Sequence, residues 1–263
     1  MNEMENTTLS PKDKKSGGAG EFISIVIQAL IIAVLFQTVL FQPFTIPSGS
    51  MRPTLLVGDY LFVSKYAYGY SRYSIPFSPD LFSGRIFGSE PKRGDIIVFR
   101  PPNRINDYYI KRLVGLPGDR IQVRDGTLYI NDDAVPRKLV GQITNADVTE
   151  VARPVDVYRE TMPNGVTYNT LDMEYYPQLD DTKVFEVPEG YYFMMGDNRD
   201  RSDDSRLSIG YVPYENLVGR ANIIFFSIGK GASAWQLWRW PADIRWNRLL
   251  SSVKTIKYFP PDK

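Results

Sequence analysis

The chain of 263 residues contains no cysteine and no histidine. The missing cysteine excludes a disulfide framework, a thiolate nucleophile and any thiolate metal site. The missing histidine excludes a Ser-His-Asp triad, whose base is an imidazole. Acid–base chemistry must therefore fall to a carboxylate, a lysine or a tyrosine. Charge of one sign is lacking as well. The 31 Lys+Arg stand against 30 Asp+Glu, a net charge of +1, whereas a nucleic-acid-binding domain carries a strongly basic footprint. The length is permissive, since it supplies one large core or two modest ones.

Long apolar runs are scarce, and the chain has one. From Phe22 to Phe41 no residue is charged. Twenty helical residues span about 30 Å, the thickness of the hydrocarbon core of a bilayer. Lys12, Lys14 and Lys15 precede the run, which predicts a cytoplasmic N-terminus. The run ends in Leu40-Phe41-Gln42-Pro43-Phe44 without a small-residue cleavage site. A membrane anchor is thus expected over residues 21–43, rather than a cleaved signal peptide or a buried helix. Residues 1–20, polar and Gly-rich, read as a disordered cytoplasmic tail.

Beyond Pro43 short apolar runs alternate with Gly, Pro and Asp. Strands are expected at Asp59–Val63, Ile96–Phe99, Tyr108–Val114, Tyr191–Met195 and Asn222–Ile228. Arg124-Asp125-Gly126 and Pro163-Asn164-Gly165 mark two hairpins. This pattern predicts a mostly β ectodomain of antiparallel sheets. Its first part covers residues 44–137 and its second part 189–230. An acidic inserted β subdomain lies between them at 138–188, and a Trp/Arg-rich segment follows at 231–263. That last segment holds Trp235, Trp238, Trp240 and Trp246 among arginines. It suits either a membrane interface or a packed cover over a small core.

Three polar segments stand out. In Pro47-Ser48-Gly49-Ser50-Met51 two serines flank a glycine, a turn that can expose a hydroxyl beside a backbone N–H. Nine residues from Gln42 to Ser50 reach at most about 30 Å, so Ser50 is tethered near the end of the anchor. In Tyr109-Ile110-Lys111-Arg112 the alternation places Lys111 on one face with Tyr109 and Leu113, and Arg112 on the other. A desolvated lysine has a lowered pKa and becomes a usable base. In Gly196-Asp197-Asn198-Arg199-Asp200-Arg201-Ser202-Asp203-Asp204-Ser205-Arg206 alternating charges favour internal ion pairs over a cation site. Each segment alone is also compatible with an ordinary turn, an edge-strand lysine or a solvated loop.

Together, and with Arg93-Gly94-Asp95 between the first and second, these segments occur in the order found in bacterial type I signal peptidases. The chain resembles that family from Phe44 to about Ile228. The resemblance implies a membrane-bound serine endopeptidase that removes signal peptides from exported preproteins. It cleaves after small residues of the Ala-x-Ala type through an acyl-enzyme. Ser50 would be the nucleophile and Lys111 the general base. The Ser50 N–H and the Ser48 hydroxyl would form the oxyanion hole. Ser202 would hydrogen-bond and orient Lys111, with Asp204 and Arg206 bracing the loop as an ion pair and Asp197 also structural. Phe44, Ile46, Pro47, Met51, Tyr109 and Ile110 match positions around the substrate cleft. No cofactor or metal is implied. The implied partners are secretory preproteins, the lipid bilayer and the export translocon, with no nucleic acid. The implied location is the bacterial inner membrane, single-pass, with the catalytic domain outside the cytoplasm. Arg201 and Asp203 fall at variable positions of the last motif, while Leu207-Ser208-Ile209 differs from the aromatic stretch of many relatives, and one apolar run stands where the best-known Gram-negative members have two. The rivals are a relative dedicated to one substrate, a self-cleaving repressor-type Ser/Lys protein, and an anchored β-rich binding protein.

Overall fold

The computed structural model describes residues 18–75, 78–80, 82–149, 151, 153–173, 176–229 and 240–253, without the side chains of residues 36, 38, 146 and 147. The disordered tail expected over residues 1–20 lies almost wholly outside the described residues. So do Trp235, Trp238 and all of 254–263. The chain divides into two units, Met1–Phe36 and Gln37–Lys263.

A helix, α1, runs over Ala19–Val39. Its interior from Glu21 onward has no Gly or Pro to interrupt it, and Gln28 donates to the Ser24 hydroxyl one turn earlier at 3.1 Å. Phe22, Ile23, Ile32 and Leu35 are all exposed. Among the described residues, no helix is long and apolar enough to cross a membrane. The side chains of Phe36 and Thr38, within α1, are not among them. The helix is also shorter at its C-terminal end than the run 21–43, because Phe41 already belongs to a strand. Pro43 lacks the N–H that a helix would need, but it fits an edge strand.

The second unit is mostly β. Its strands, among the described residues, are β1 (Phe41–Thr45), β2 (Asp59–Ser64), β3 (Ile96–Phe99), β4 (Tyr109–Gly115), β5 (Arg120–Arg124), β6 (Thr127–Ile130), β7 (Asp133–Ala134) and β8 (Arg137–Ile143). They continue with β9 (Val155–Thr161), β10 (Thr167–Asp172), β11 (Phe185–Glu186), β12 (Tyr191–Met195), β13 (Val212–Pro213), β14 (Leu217–Ser227) and β15 (Ser251–Ser252). The largest sheet has the order β1-β2-β14-β3-β4-β12-β13, with β15 on β14. A four-stranded sheet (β11-β5-β6-β7) and a three-stranded one (β10-β9-β8) complete the fold. Every strand pair in these sheets is antiparallel.

Both hairpin turns stand where the sequence places them. Arg124 pairs with Thr127 across Asp125-Gly126, and Thr161 pairs with Thr167 across Pro163-Asn164-Gly165. Two long sheet pairings give the site its frame. Lys111 of β4 pairs with Ile97 of β3, and Met195 of β12 pairs with Arg112. Leu61, Val63, Val98, Val218 and Ile224 form the core under β1 and the Ser50 turn, together with Ile46 and Met51. On the other face of the sheet Ile97, Leu113, Tyr192 and Met194 pack together. The insertion carries its own core of Ile143, Val155, Val157 and Leu171 against Leu56.

The described part of the C-terminal segment packs on the sheet at particular points, while Trp246 and Leu250 stay exposed. Trp240 lies 5.7 Å from Phe226, ring centre to ring centre, and the buried Arg248 guanidinium clamps Asp59 with bonds of 3.0 and 2.5 Å. Asp59 also caps the Leu56 N–H and accepts from Ser227. Only Trp246 of the described tryptophans is largely exposed.

Candidate active site

The turn after β1 brings Ser48 and Ser50 to the mouth of an open cleft, and β4 presents Lys111 to the same cleft. Lys111 Nζ lies 2.5 Å from Ser50 Oγ. Both side chains are nearly withdrawn from water, with Ser50 at 7% and Lys111 at 4% exposure. Burial pushes the Lys111 ammonium down from 10.5 to about 8. Asp204 and Asp203 pull it back up, and Arg206 adds to the lowering. A neutral amine within hydrogen-bonding reach of a hydroxyl is the geometry a general base needs.

The alternation of β4 explains why one strand serves two purposes. Tyr109 and Leu113 pack in one cluster and Ile110 in another. Arg112, opposite in direction to Lys111, donates to Asp197 through Nε at 2.7 Å and Nη2 at 2.6 Å, and to the Gly94 carbonyl at 2.9 Å. Thr54 also donates to Asp197. Arg112 stacks 4.0 Å above the Tyr168 ring, and Arg199 pairs with Glu160 at 2.5 Å while Tyr168 donates to the same carboxylate. Breaking one such buried pair costs about 3–5 kcal/mol, because the surviving charge is left unpaired.

The polar loop after β12 clasps the serine turn. Asn198 donates from its backbone to the Ser50 carbonyl and from Nδ2 to the Gly49 carbonyl, each at 3.1 Å. Asp204 accepts from the Gly196 N–H at 3.0 Å and pairs with Arg206 through Nε and Nη2. Burial works to raise the Asp204 carboxyl, but the Arg206 charge and hydrogen bonds hold it below its ordinary value. Arg206 reaches on to the Arg199 carbonyl at 2.7 Å. Gly196 has no alternative: a Cβ there would lie 2.2 Å from Ser202 Oγ and 2.5 Å from the Ser50 carbonyl oxygen.

The expected residues are not all equivalent. Ser48, Ser50, Pro47, Tyr109, Ile110 and Lys111 line the cleft itself. Phe44 and Ile46 line its apolar continuation, together with Val98. Met51 is fully buried behind the wall, in the core cluster. Ser202 is buried, but its hydroxyl has no hydrogen-bond partner among the described residues, so the bond to Lys111 that the resemblance implies is not formed. The sequence reading missed Asn198, Thr54, Glu160 and Tyr168 as supports, and it missed Tyr108 on the cleft wall. Arg112 and Asp197 are 85 positions apart, and no local pattern announces such a pair. Tyr108 adjoins a recognised motif, so its aromatic character was the available signal.

A sequence profile described as signal peptidase, peptidase S26, matches residues 19–226. Signal peptidase I of Rickettsia akari is 44% identical over 241 residues, covering 85% of this chain and 89% of that protein. Signal peptidase I of Rickettsia massiliae is 41% identical over 268 residues, covering 95% and 98%. Among solved structures, a signal peptidase I from Enterococcus faecalis shares 32% identity, with a TM-score of 0.32, over 50% of this chain and 97% of that one.

Proposed function

Since this chain belongs to the signal peptidase family, peptidase S26, we propose that its Ser50 and Lys111 form the catalytic dyad of a membrane-anchored signal peptidase. Serine peptidase activity of the signal peptidase I kind comes with the family. The dyad, the preference for small residues and the anchor are our reading of the chain. The observation that carries the dyad is the 2.5 Å contact between Lys111 Nζ and Ser50 Oγ inside a cleft.

In this mechanism neutral Lys111 takes the Ser50 proton as Oγ attacks the carbonyl of the scissile peptide bond. The Ser50 N–H and the Ser48 hydroxyl receive the developing oxyanion; losing one such donor typically costs about 10²–10³ in rate. Protonated Lys111 then donates to the leaving amine, and water hydrolyses the acyl-enzyme. The apolar half of the cleft, with Phe44, Ile46 and Val98, receives short side chains at the first and third positions before the cut. Ser202, buried in the loop beside Gly196, is the residue we assign to orienting Lys111. Support for the anchor is the uncharged run Phe22–Phe41 and the exposed apolar side chains of α1. The bilayer, exported preproteins and the translocon are the partners this reading requires, at the bacterial inner membrane with the catalytic domain outside the cytoplasm.

The test is cleavage of a preprotein by the purified full chain in detergent or lipid. Ser50→Ala and Lys111→Ala are each expected to abolish product formation. Retained cleavage by either variant would remove the dyad from the mechanism.

A further inference from the structure

The cleft's apolar half has one wall that the family resemblance did not assign. Tyr108 lines both this half and the part that holds Ser50. Its ring meets Phe44 edge-on, with centroids 5.1 Å apart. Two rings at that separation are in contact, so no substrate side chain fits between them. Tyr108 is 42% exposed, and such a ring normally moves among rotamers. Here it is held from behind. Arg100 donates from Nη2 to the Tyr108 hydroxyl at 2.7 Å, and its guanidinium carbon stands 4.5 Å from the ring centre.

Arg100 is itself fixed. It is 9% exposed, at the end of β3, and donates to the Ile105 carbonyl and the Ser78 hydroxyl, each at 2.8 Å. It also lies over the ring of Tyr73, a member of the core cluster. A planar guanidinium that bonds a phenol and stacks on it leaves that phenol one orientation.

We infer that Tyr108 is a specificity-determining residue and Arg100 its positioning residue, together closing the apolar half of the cleft against large substrate side chains. The inference rests on the proposed reading of that half as the receptor for residues before the cut. In an extended substrate, the first and third residues before the cut point to the same side, about 7 Å apart. The third one falls on the half away from Ser50, where Phe44 and Tyr108 touch. Tyr108 therefore limits the size accepted at the third position, with little influence on the first.

The experiment uses the full chain in detergent and peptides that carry Ala, Leu or Phe at the third position, with Ala kept at the first. A second series varies the first position alone. For Tyr108→Ala, the kcat/KM ratio of Leu to Ala at the third position is expected to rise at least about tenfold. The first-position ratio is expected to stay within about twofold. Tyr108→Phe, which keeps the ring but loses the bond to Arg100, and Arg100→Lys, which loses the planar fork, are each expected to raise the third-position ratio by less. An unchanged ratio with Tyr108→Ala would overturn the inference, as would a uniform fall in rate for all peptides. An active wild type that Ser50→Ala inactivates keeps the dyad in place through either result. A wild type that cleaves none of the peptides and no preprotein would instead defeat the reading beneath it.

Discussion

Replacing Lys111 by Met tests the energetics of the site without any substrate. The ammonium is held at about 8 in the fold, against 10.5 as its ordinary value, chiefly by burial. That gap corresponds to about 3 kcal/mol of destabilisation at pH 7. The sign follows from proton binding. The unfolded chain holds this proton more tightly, so the fold is penalised at low pH. The penalty fades as pH rises from about 8 to about 10.5. Met has nearly the length of the lysine stem and carries no charge. It forfeits the hydrogen bond to Ser50, worth about 1 kcal/mol. Lys111→Met is therefore expected to be about 2 kcal/mol more stable than wild type at pH 7, and to lose that advantage by about pH 10. Lys65 is also buried and lowered to about 8, but it is common to both proteins and cancels in the difference. Denaturant titration of the full chain in detergent, at pH 7 and pH 10, reads the effect. A variant less stable than wild type at pH 7, or a difference that does not change with pH, would refute the reasoning.

In the proposed dyad the same group sets the pH dependence of the rate. With Lys111 near 8, about a tenth of the enzyme is in the basic form at pH 7, so kcat/KM is expected to rise about tenfold to a plateau above pH 9. Asp203→Asn removes a charge that favours the lysine proton; the midpoint of that limb is expected to move to lower pH, and an unmoved midpoint would count against this role. Gly196→Ala forces a Cβ against the Ser50 carbonyl and Ser202. It is expected to lower kcat at least about tenfold by displacing Ser50 from Lys111, and unaltered turnover would show that the loop yields without cost.

The strands with clear boundaries were legible because apolar runs ended at residues with a backbone reason to turn. Ile96–Phe99 and Tyr191–Met195 appear as expected. β1 was not legible. Phe41-Gln42-Pro43-Phe44-Thr45 continues an apolar run into a proline, and only its pairing with Asp59–Ser64 makes it a strand. The same pairing cuts the helix at Val39. β14 was seen only in its second half, because its start, Leu217–Ala221, is defined by pairing with β3 and β2. The tryptophan segment was ambiguous because hydropathy does not separate a ring that faces lipid from one that covers a core. In the described part Trp240 packs on Phe226 and Arg248 on Asp59, whereas Trp246 is exposed.

The sequence by itself determined which chemistries were closed to this protein. Without His or Cys, the base beside a serine had to be another residue type, and the order of four short motifs pointed to Lys111 and Ser50. It also determined the sidedness of β4, since a period of two separates Lys111 from Arg112 wherever that strand lies. Only the tertiary structure decided the distance between Lys111 and Ser50, which are 61 positions apart. It also decided that Lys111 is desolvated. Burial depends on what packs above a strand, and the loop 196–206 that does so returns from a distant part of the chain. The pairing of Arg112 with Asp197, the clasp of Asn198 on the serine turn and the fixing of Tyr108 by Arg100 are likewise contacts between segments. Their energies depend on geometry and exclusion of water, which no local pattern encodes.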